Sequence, residues 1–438
     1  MLRFAPSPTG DMHTGNLRAA IFNYIIAKQQ GERFLLRIED TDRERNIEGK
    51  DKEILSLLNL FGIVCDEFMI QSDNFPRHKQ MAEYLIAQNR AFYCYCSKEF
   101  LEQKREESLT KKEPFRYHDE WAEVEKATNP HPVIRLRGAS EDMSFFDEIK
   151  GEVKFSASEI DSFVIMREDG IPTYNFACAI DDMLADVSFI VRGEDHVSNT
   201  PKQMLIHQGI GYTKRLKYAH LPILLNDEGK KMSKRDSASS VQWLLEEGFL
   251  PQAIANYLIL MGNKTPCEVF TLKEAIAWFD ITHVAKAPAK FDLDKLRFLN
   301  REHFKRLNEQ DLAFLLDHKD PSVGALAKLY LQESSTLNEL REKIGALFAP
   351  KMPAGEFEES IRTLYPHLRA MIEERSEALK DFEAFKKEAM SRSNLKGKHF
   401  FKSLRFLLTG SENGPELSEL FEYIRFFFSD VIKLKEAK

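Results

Sequence analysis

The sequence predicts an α/β protein in two parts: a doubly wound parallel sheet interrupted by an α+β insertion, then an all-helical C-terminal region. Three observations carry this. A strand, a loop and a helix open the chain, a second strand–helix–strand unit returns near residue 187, and beyond about residue 300 the texture is almost wholly helical and highly charged. At 438 residues the chain is too long for one ordinary core, so two to four domains are expected.

Each element has a local reason. Leu2–Ala5 reads as a short extended segment, residues 16–30 as a helix, and Phe34-Leu35-Leu36-Arg37-Ile38 as a buried strand. Leu17, Ala20, Ile21, Tyr24 and Ile25 recur at helical spacing. A strand–helix–strand unit with a loop at its first turn is one nucleotide-binding half of a doubly wound sheet. The second half is read near 187–225, with strands Val187–Val191 and Leu221–Leu225 around a helix Thr200–Gly209. Between the halves, helices are expected at 77–90 and 98–112 and strands at 133–137 and 162–167. Helices follow at 241–247, 251–261 and 272–279. The last stretch carries apolar faces rich in phenylalanine, at Phe382, Phe385, Phe400, Phe401, Phe406 and Phe426 to Phe428, broken by turns such as Ala349-Pro350 and Gly410-Ser411. No repeat of fixed period and no low-complexity tract is present.

Composition excludes several classes. The net charge of -7 does not announce a nucleic-acid binder, so any RNA contact must come from local basic patches. Five scattered cysteines argue against a disulfide framework and for a reducing, cytoplasmic setting. The chain opens directly into Leu2-Arg3-Phe4 with no secretory signal, and no apolar run approaches the roughly 18 residues of a membrane span.

Two loops carry chemistry suited to phosphate. In Phe4-Ala5-Pro6-Ser7-Pro8-Thr9-Gly10-Asp11-Met12-His13-Thr14-Gly15-Asn16, an imidazole stands beside a glycine where backbone can approach a ligand, at the N-terminus of a helix that attracts anions. Far downstream, Lys231-Met232-Ser233-Lys234-Arg235 sets two lysines and an arginine around a serine, a cationic clamp for a polyphosphate. Together and in this order they resemble the two signatures of class I aminoacyl-tRNA synthetases. The block from Arg3 to Gly10 is similar to that of glutamyl-tRNA synthetases, whereas glutaminyl enzymes typically carry glutamate and asparagine where Ser7 and Thr9 stand. Arg37-Ile38-Glu39-Asp40-Thr41-Asp42, Asp169-Gly170-Ile171-Pro172-Thr173-Tyr174-Asn175 and Val191-Arg192-Gly193-Glu194-Asp195-His196 match in the same order. The resemblance is strong over about residues 1–300 and weaker beyond.

The resemblance implies a Rossmann-like catalytic domain in two pieces, 1–79 and 177–225, around an acceptor-stem-binding insertion, 80–176. It further implies a helical stem-contact domain, 226–305, carrying the lysine-rich loop, and an all-helical anticodon-binding region, 306–438. The implied reaction joins L-glutamate to ATP as an adenylate and then to the terminal ribose of tRNA, with Mg²⁺ accompanying ATP. His13, Gly15, Asn16, Lys231, Ser233 and Lys234 would meet ATP, with His13, Gly15, Lys231 and Lys234 acting in the chemistry. Family positions matching Arg3, Ala5, Ser7, Glu39, Tyr174, Cys178 and Arg192 line the amino-acid pocket. Glutamate needs a cation for its side chain and an anion for its amine; Arg3 and Arg192 are candidate cations and Glu39 the candidate anion. All three fall at C-terminal ends of expected parallel strands, where ligands bind in this sheet class.

Asp40 and Asp42 are expected to cap the following helix rather than hold a metal, since magnesium usually reaches protein through phosphates. Cys94 and Cys96 are half of a zinc site that some relatives complete with a Cys-x-His pair; here those positions are Trp121 and Glu123, so no structural zinc is expected. Lys396, Lys398, Lys402 and Arg405 form the best basic cluster of the helical tail, which a solvated helix face would equally explain. A monomer without membrane association is expected. Two rivals remain: a paralogue that grips tRNA but makes no adenylate, disfavoured by intact His13, Gly15 and Lys234, and a shorter relative that glutamylates a queuosine base, disfavoured by the long helical tail. The sequence leaves open whether glutamate tRNA, glutamine tRNA or both are served.

Overall fold

The computed structural model describes residues 1–233 and 236–435. The chain forms two compact units, Met1–Gln242 with Ala255–Asp292, and Trp243–Ile254 with the chain from Leu293 onward.

The first unit is built on strands β1 (Leu2–Phe4), β2 (Phe34–Ile38), β3 (Glu67–Ile70), β4 (Ala91–Cys94), β5 (Val133–Leu136), β6 (Met143–Asp147), β7 (Gly151–Phe155), β8 (Phe163–Met166), β9 (Phe189–Gly193) and β10 (Lys217–Leu221). Seven of them form one sheet in the order β3-β2-β1-β9-β10-β6-β7. All its pairs are parallel except β6–β7, an antiparallel hairpin at one edge. The order reverses between β1 and β9, where Leu2 stands opposite Phe189. That reversal opens the crevice in which ligands of such sheets bind. The helix Thr14–Gln30 packs over the join, buried on nearly all sides. Its Asn23 Nδ2 donates to Val191 O on β9 at 2.9 Å, and Gly31 ends it at a positive φ of 65° that favours glycine.

Three expectations shift. The strand read at Val187–Val191 is β9, two residues later, with Val187 buried ahead of it. The segment Leu221–Leu225 is not one strand: β10 ends at Leu221, Pro222 offers no N–H, and Leu224–Leu225 pairs separately with Ala289–Lys290. The hairpin β6–β7 lies in sequence within the stretch expected to form the insertion, yet it extends the large sheet through Tyr218 opposite Asp147. The insertion itself is the antiparallel sheet β4-β5-β8, in which β5 and β8 match the expected strands. The expected helices at 77–90 and 98–112 appear as Phe75–Ala87 and Lys98–Thr110.

The second unit is helical from Leu293–Arg306 to Phe428–Val431. Phe385, Phe421 and Phe428 meet in its core, with the Phe385 and Phe428 rings stacked at 5.2 Å, and buried Phe400 belongs to the same cluster. Phe401 and Phe426 instead face outward. Its helix Leu337–Phe348 starts at a capping box formed by Thr336 and Glu339. Lys398, Lys402 and Arg405, on the helix Gly397–Thr409, border an open groove of about 690 Å³ beside Phe401. Lys398 pairs with Glu356 at 3.2 Å, Lys402 donates to Glu412 O at 3.1 Å, and Arg405 donates to Pro415 O at 2.7 Å. Lys396 stands at the N-cap of that helix.

Candidate active site

Two adjoining cavities open at the C-terminal ends of β1 and β9. The first, about 430 Å³, is lined by Arg3, Ala5, Ser7, Glu39, Tyr174 and Arg192. The second, about 310 Å³, is lined by His13, Gly15, Asn16, Asp195, Lys231 and Ser233. Asn16, Ala19, Gly193 and His196 belong to both walls.

The floor of the first cavity is a lattice of buried charge. Arg3 donates to both carboxylate oxygens of Asp182, from Nε at 3.1 Å and Nη2 at 3.3 Å. Arg37 donates to the same carboxylate at 2.6 Å and to Glu39 Oε1 at 3.1 Å. Burial works to raise the Asp182 pKa, but the two guanidinium groups hold its carboxyl well below the usual carboxylate range. Glu39 is raised instead, because burial outweighs Arg37 and Arg3. Cys178 does not line the cavity. Its thiol lies behind the wall, 3.2 Å from Arg37 Nη2, and burial pushes it up to about 12.

Arg192 is held differently. Its Nε donates to His220 Nε2 at 3.2 Å and its Nη2 to Thr200 Oγ1 at 2.9 Å. His220 Nδ1 in turn meets Asp147 Oδ2 at 2.6 Å, which fixes the imidazole as the tautomer whose Nε2 accepts. Asp147 also accepts from the backbone N–H groups of Ile149 and Lys150, so the edge hairpin ends in a carboxylate aimed at the site. The remaining nitrogen of Arg192, Nη1, is buried without a hydrogen-bond partner. A buried cationic donor without a partner, on a residue that lines the cavity, suits a bound carboxylate.

In the second cavity His13 caps the helix Thr14–Gln30. Its Nδ1 accepts from Gly15 N at 3.0 Å, leaving Nε2–H as the donor. Burial and then Lys231 lower its pKa, against Asp236. A Cβ at Gly15 would sit 3.4 Å from that Nδ1, so glycine keeps the cap open. At Gly193 a Cβ would strike Asp195 Oδ1 at 2.5 Å. Lys231 stands on the loop beyond β10, largely exposed and 4.0 Å from Asp195. The loop is anchored by buried Met232, whose N–H donates to Leu224 O, and by Asp236, which accepts from Ser233 N at 2.8 Å. Lys234 lies outside the described residues.

Among the sequence-singled residues, Asp40 does not cap the following helix. Its Oδ1 accepts from Ser72 N at 2.9 Å, at the short turn Gln71–Asn74, and Gly49 caps the helix Lys50–Leu60 instead. Asp42 pairs with exposed Arg45 at 3.6 Å. No group of three or more His, Cys, Asp or Glu side chains is arranged to hold a metal among the described residues. Cys94 accepts from Tyr117 Oη at 3.1 Å, Cys96 lies 3.1 Å from Trp121 O, and aromatic rings close over both thiols.

Arg37, Asp147, Asp182 and His220 were missed by sequence reasoning. A signal existed for two of them: Arg37 interrupts an apolar strand run, and Asp182 ends an apolar helix, so each charge needs a buried partner.

The comparisons agree with this geometry. The catalytic-domain model of class I tRNA synthetases (E and Q) matches residues 1–298, and an anticodon binding domain matches residues 297–425. The chain is 83% identical to glutamate–tRNA ligase 2 of Wolinella succinogenes over 100% of both chains. It is 65% identical to glutamate–tRNA ligase 2 of Helicobacter hepaticus, again over 100% of each. A crystal structure of a glutamate tRNA ligase from Elizabethkingia meningosepticum shares the fold, with a TM-score of 0.79 at 24% identity and 98% coverage of each chain. A parallel sheet reversing at a cavity of paired arginines, beside a helix-capping histidine loop, thus joins full-length sequence similarity in one conclusion: the chain belongs to the glutamyl-tRNA synthetase family of the class I aminoacyl-tRNA synthetases.

Proposed function

We propose that the larger cavity holds glutamate, the smaller holds ATP, and the two substrates react where the cavities join. The enzyme is an ATP-dependent glutamate–tRNA ligase. A carboxylate oxygen of glutamate forms a bond to the α-phosphorus as the bond to the β-phosphate oxygen breaks, and pyrophosphate leaves with that electron pair. A terminal ribose hydroxyl of tRNA then takes the glutamyl group and AMP departs. Class I membership assigns the first transfer to the 2′-hydroxyl.

The single observation that carries the residue assignment is the buried, unpartnered Nη1 of Arg192, a residue that lines the larger cavity. It meets the side-chain carboxylate, with Arg3 beside it, while Glu39 receives the ammonium and Tyr174, Ser7 and Ala5 complete the wall. Glutamine would leave a buried guanidinium without its anion. His13 through Nε2–H, Asn16 and the backbone at Gly15 engage ATP, and Lys231, Ser233 and Lys234 close on its phosphates. Mg²⁺ would accompany those phosphates, and Asp195 is a carboxylate at that wall that would lie near them. Catalysis is then positioning and charge stabilisation.

The stretch 80–176 is assigned to the acceptor stem, 226–305 to further stem contacts and 306–438 to the anticodon. The thiols of Cys94 and Cys96 serve packing rather than zinc. The protein is read as a monomer, and the five unpaired cysteines accord with a reducing, cytoplasmic setting. ATP–pyrophosphate exchange with tRNA present, run with glutamate and with glutamine, tests the reading: glutamate is expected to be activated and glutamine to be a very poor substrate. Comparable rates with both would overturn the assignment of Arg3 and Arg192. Aminoacylation of purified glutamate and glutamine tRNAs side by side decides which is served.

A further inference from the structure

The short helical turn Glu194–Asn199 follows β9 directly and places His196 in the wall common to both cavities. No titratable side chain other than this one borders both among the described residues. Its Nδ1 is already engaged: Tyr174 Oη lies at 3.2 Å and Asn199 Nδ2 at 3.3 Å. The amides behind them run in one direction. Gln203 Nε2 donates to Asn175 Oδ1 at 3.2 Å, and Asn175 Nδ2 donates to Asn199 Oδ1 at 3.3 Å, so Asn199 turns its N–H₂ to the ring. With the amides so oriented, Nδ1 is the acceptor and the ring proton sits on Nε2.

We propose that His196 is a catalytic residue, its Nε2–H donating to the oxygen atoms of the reacting centre where the glutamate carboxylate meets the α-phosphate. The proposal rests on reading the two cavities as the glutamate and ATP sites. The bond from the carboxylate oxygen to phosphorus forms and the phosphorus–oxygen bond to pyrophosphate breaks, while His196 keeps its proton throughout. Its contribution is a fixed dipole aimed at oxygens that gain charge, in a site already organised before substrates arrive. A neutral ring suits the task, because an imidazolium would pair with the attacking carboxylate and blunt it. Burial, then Arg192, lowers its pKa to about 4 against the pull of Asp195, so the ring is neutral at working pH.

Side-chain shape supplies the test. Glutamine can set an amide N–H near the place of Nε2, whereas asparagine reaches only the place of Nδ1. His196→Ala and His196→Asn are expected to lower kcat for glutamate activation about 100-fold, in the range for loss of one such donor, with little change in the KM for glutamate or ATP. His196→Gln is expected to recover most of that loss. The readout is pyrophosphate exchange with tRNA present, alongside equilibrium binding of glutamate. An alanine variant within threefold of the native kcat overturns the proposal. So does a loss confined to KM, which would make the histidine only a support for Tyr174, and so does an equal loss in the glutamine and asparagine variants. Native protein that activates no glutamate would instead remove the reading of the cavities beneath it.

Discussion

The two units bury opposite chemistries. The first hides Arg3, Arg18, Arg37, Asp147, Asp181, Asp182 and Arg192 close to its cavities, nearly all in ion pairs or hydrogen bonds. The core of the second is chiefly leucine, isoleucine and phenylalanine gathered from successive helices, with buried Lys351 donating to the backbone carbonyls of Leu347 and Val431. Burying ionised groups contributes little to stability, because desolvation cancels much of the attraction. Such groups sit under the cavities because an electrostatic site must be set in position before substrate arrives. Among its described residues the helical unit carries no such lattice of paired charges, and burial of apolar surface is its main support. The lesson is that the first unit exchanges some stability for a prearranged field.

The largest effect should follow from breaking the shared carboxylate. Asp182→Asn keeps the shape but leaves Arg3 and Arg37 facing each other, and removing one partner of a buried pair typically costs about 3–5 kcal/mol. Denaturant unfolding should show that loss together with near-abolition of glutamate activation; a stable, active variant would show the lattice to be dispensable. The same group links stability to acid. Its folded pKa lies below an unfolded value near 4, so its contribution is complete above about pH 4 and is lost as the pH falls further. The asparagine variant should show a flatter acid dependence.

Phe400→Ala is the counterpart in the helical unit. It opens a cavity in the buried apolar cluster of that unit, for an expected cost of about 3–5 kcal/mol in unfolding. Here activation per folded molecule should stay near native, and a selective fall in activation would erase the contrast between the units. Lys234→Ala reverses the pattern: about 2.7–4 kcal/mol on the barrier to adenylate formation, with glutamate binding and stability unmoved. Near-normal single-turnover activation would remove the lysine from the chemistry. The smallest change is Thr336→Ala, which deletes a cap whose Oγ1 accepts from Glu339 N at 3.3 Å. About 1 kcal/mol of stability should go, read as a lower thermal midpoint with activity intact.

The sequence by itself determined whatever is contiguous. The phosphate loop, the helix it opens, the basic loop and the helical texture after residue 300 are runs whose chemistry and period can be read without partners. Arg3, Glu39, Tyr174 and Arg192 could be singled out because each sits inside such a run. Only the tertiary structure decided what holds them: Asp182 beneath Arg3, 179 residues away in the chain, and Asp147 behind His220, 73 residues away. It moved the hairpin β6–β7 from the insertion to the edge of the large sheet and set Cys178 behind the pocket wall. Periodicity reports which face of an element is buried, whereas a buried charge is satisfied by whichever element the topology brings beside it. That choice is made by strand order and register, and no local pattern records it.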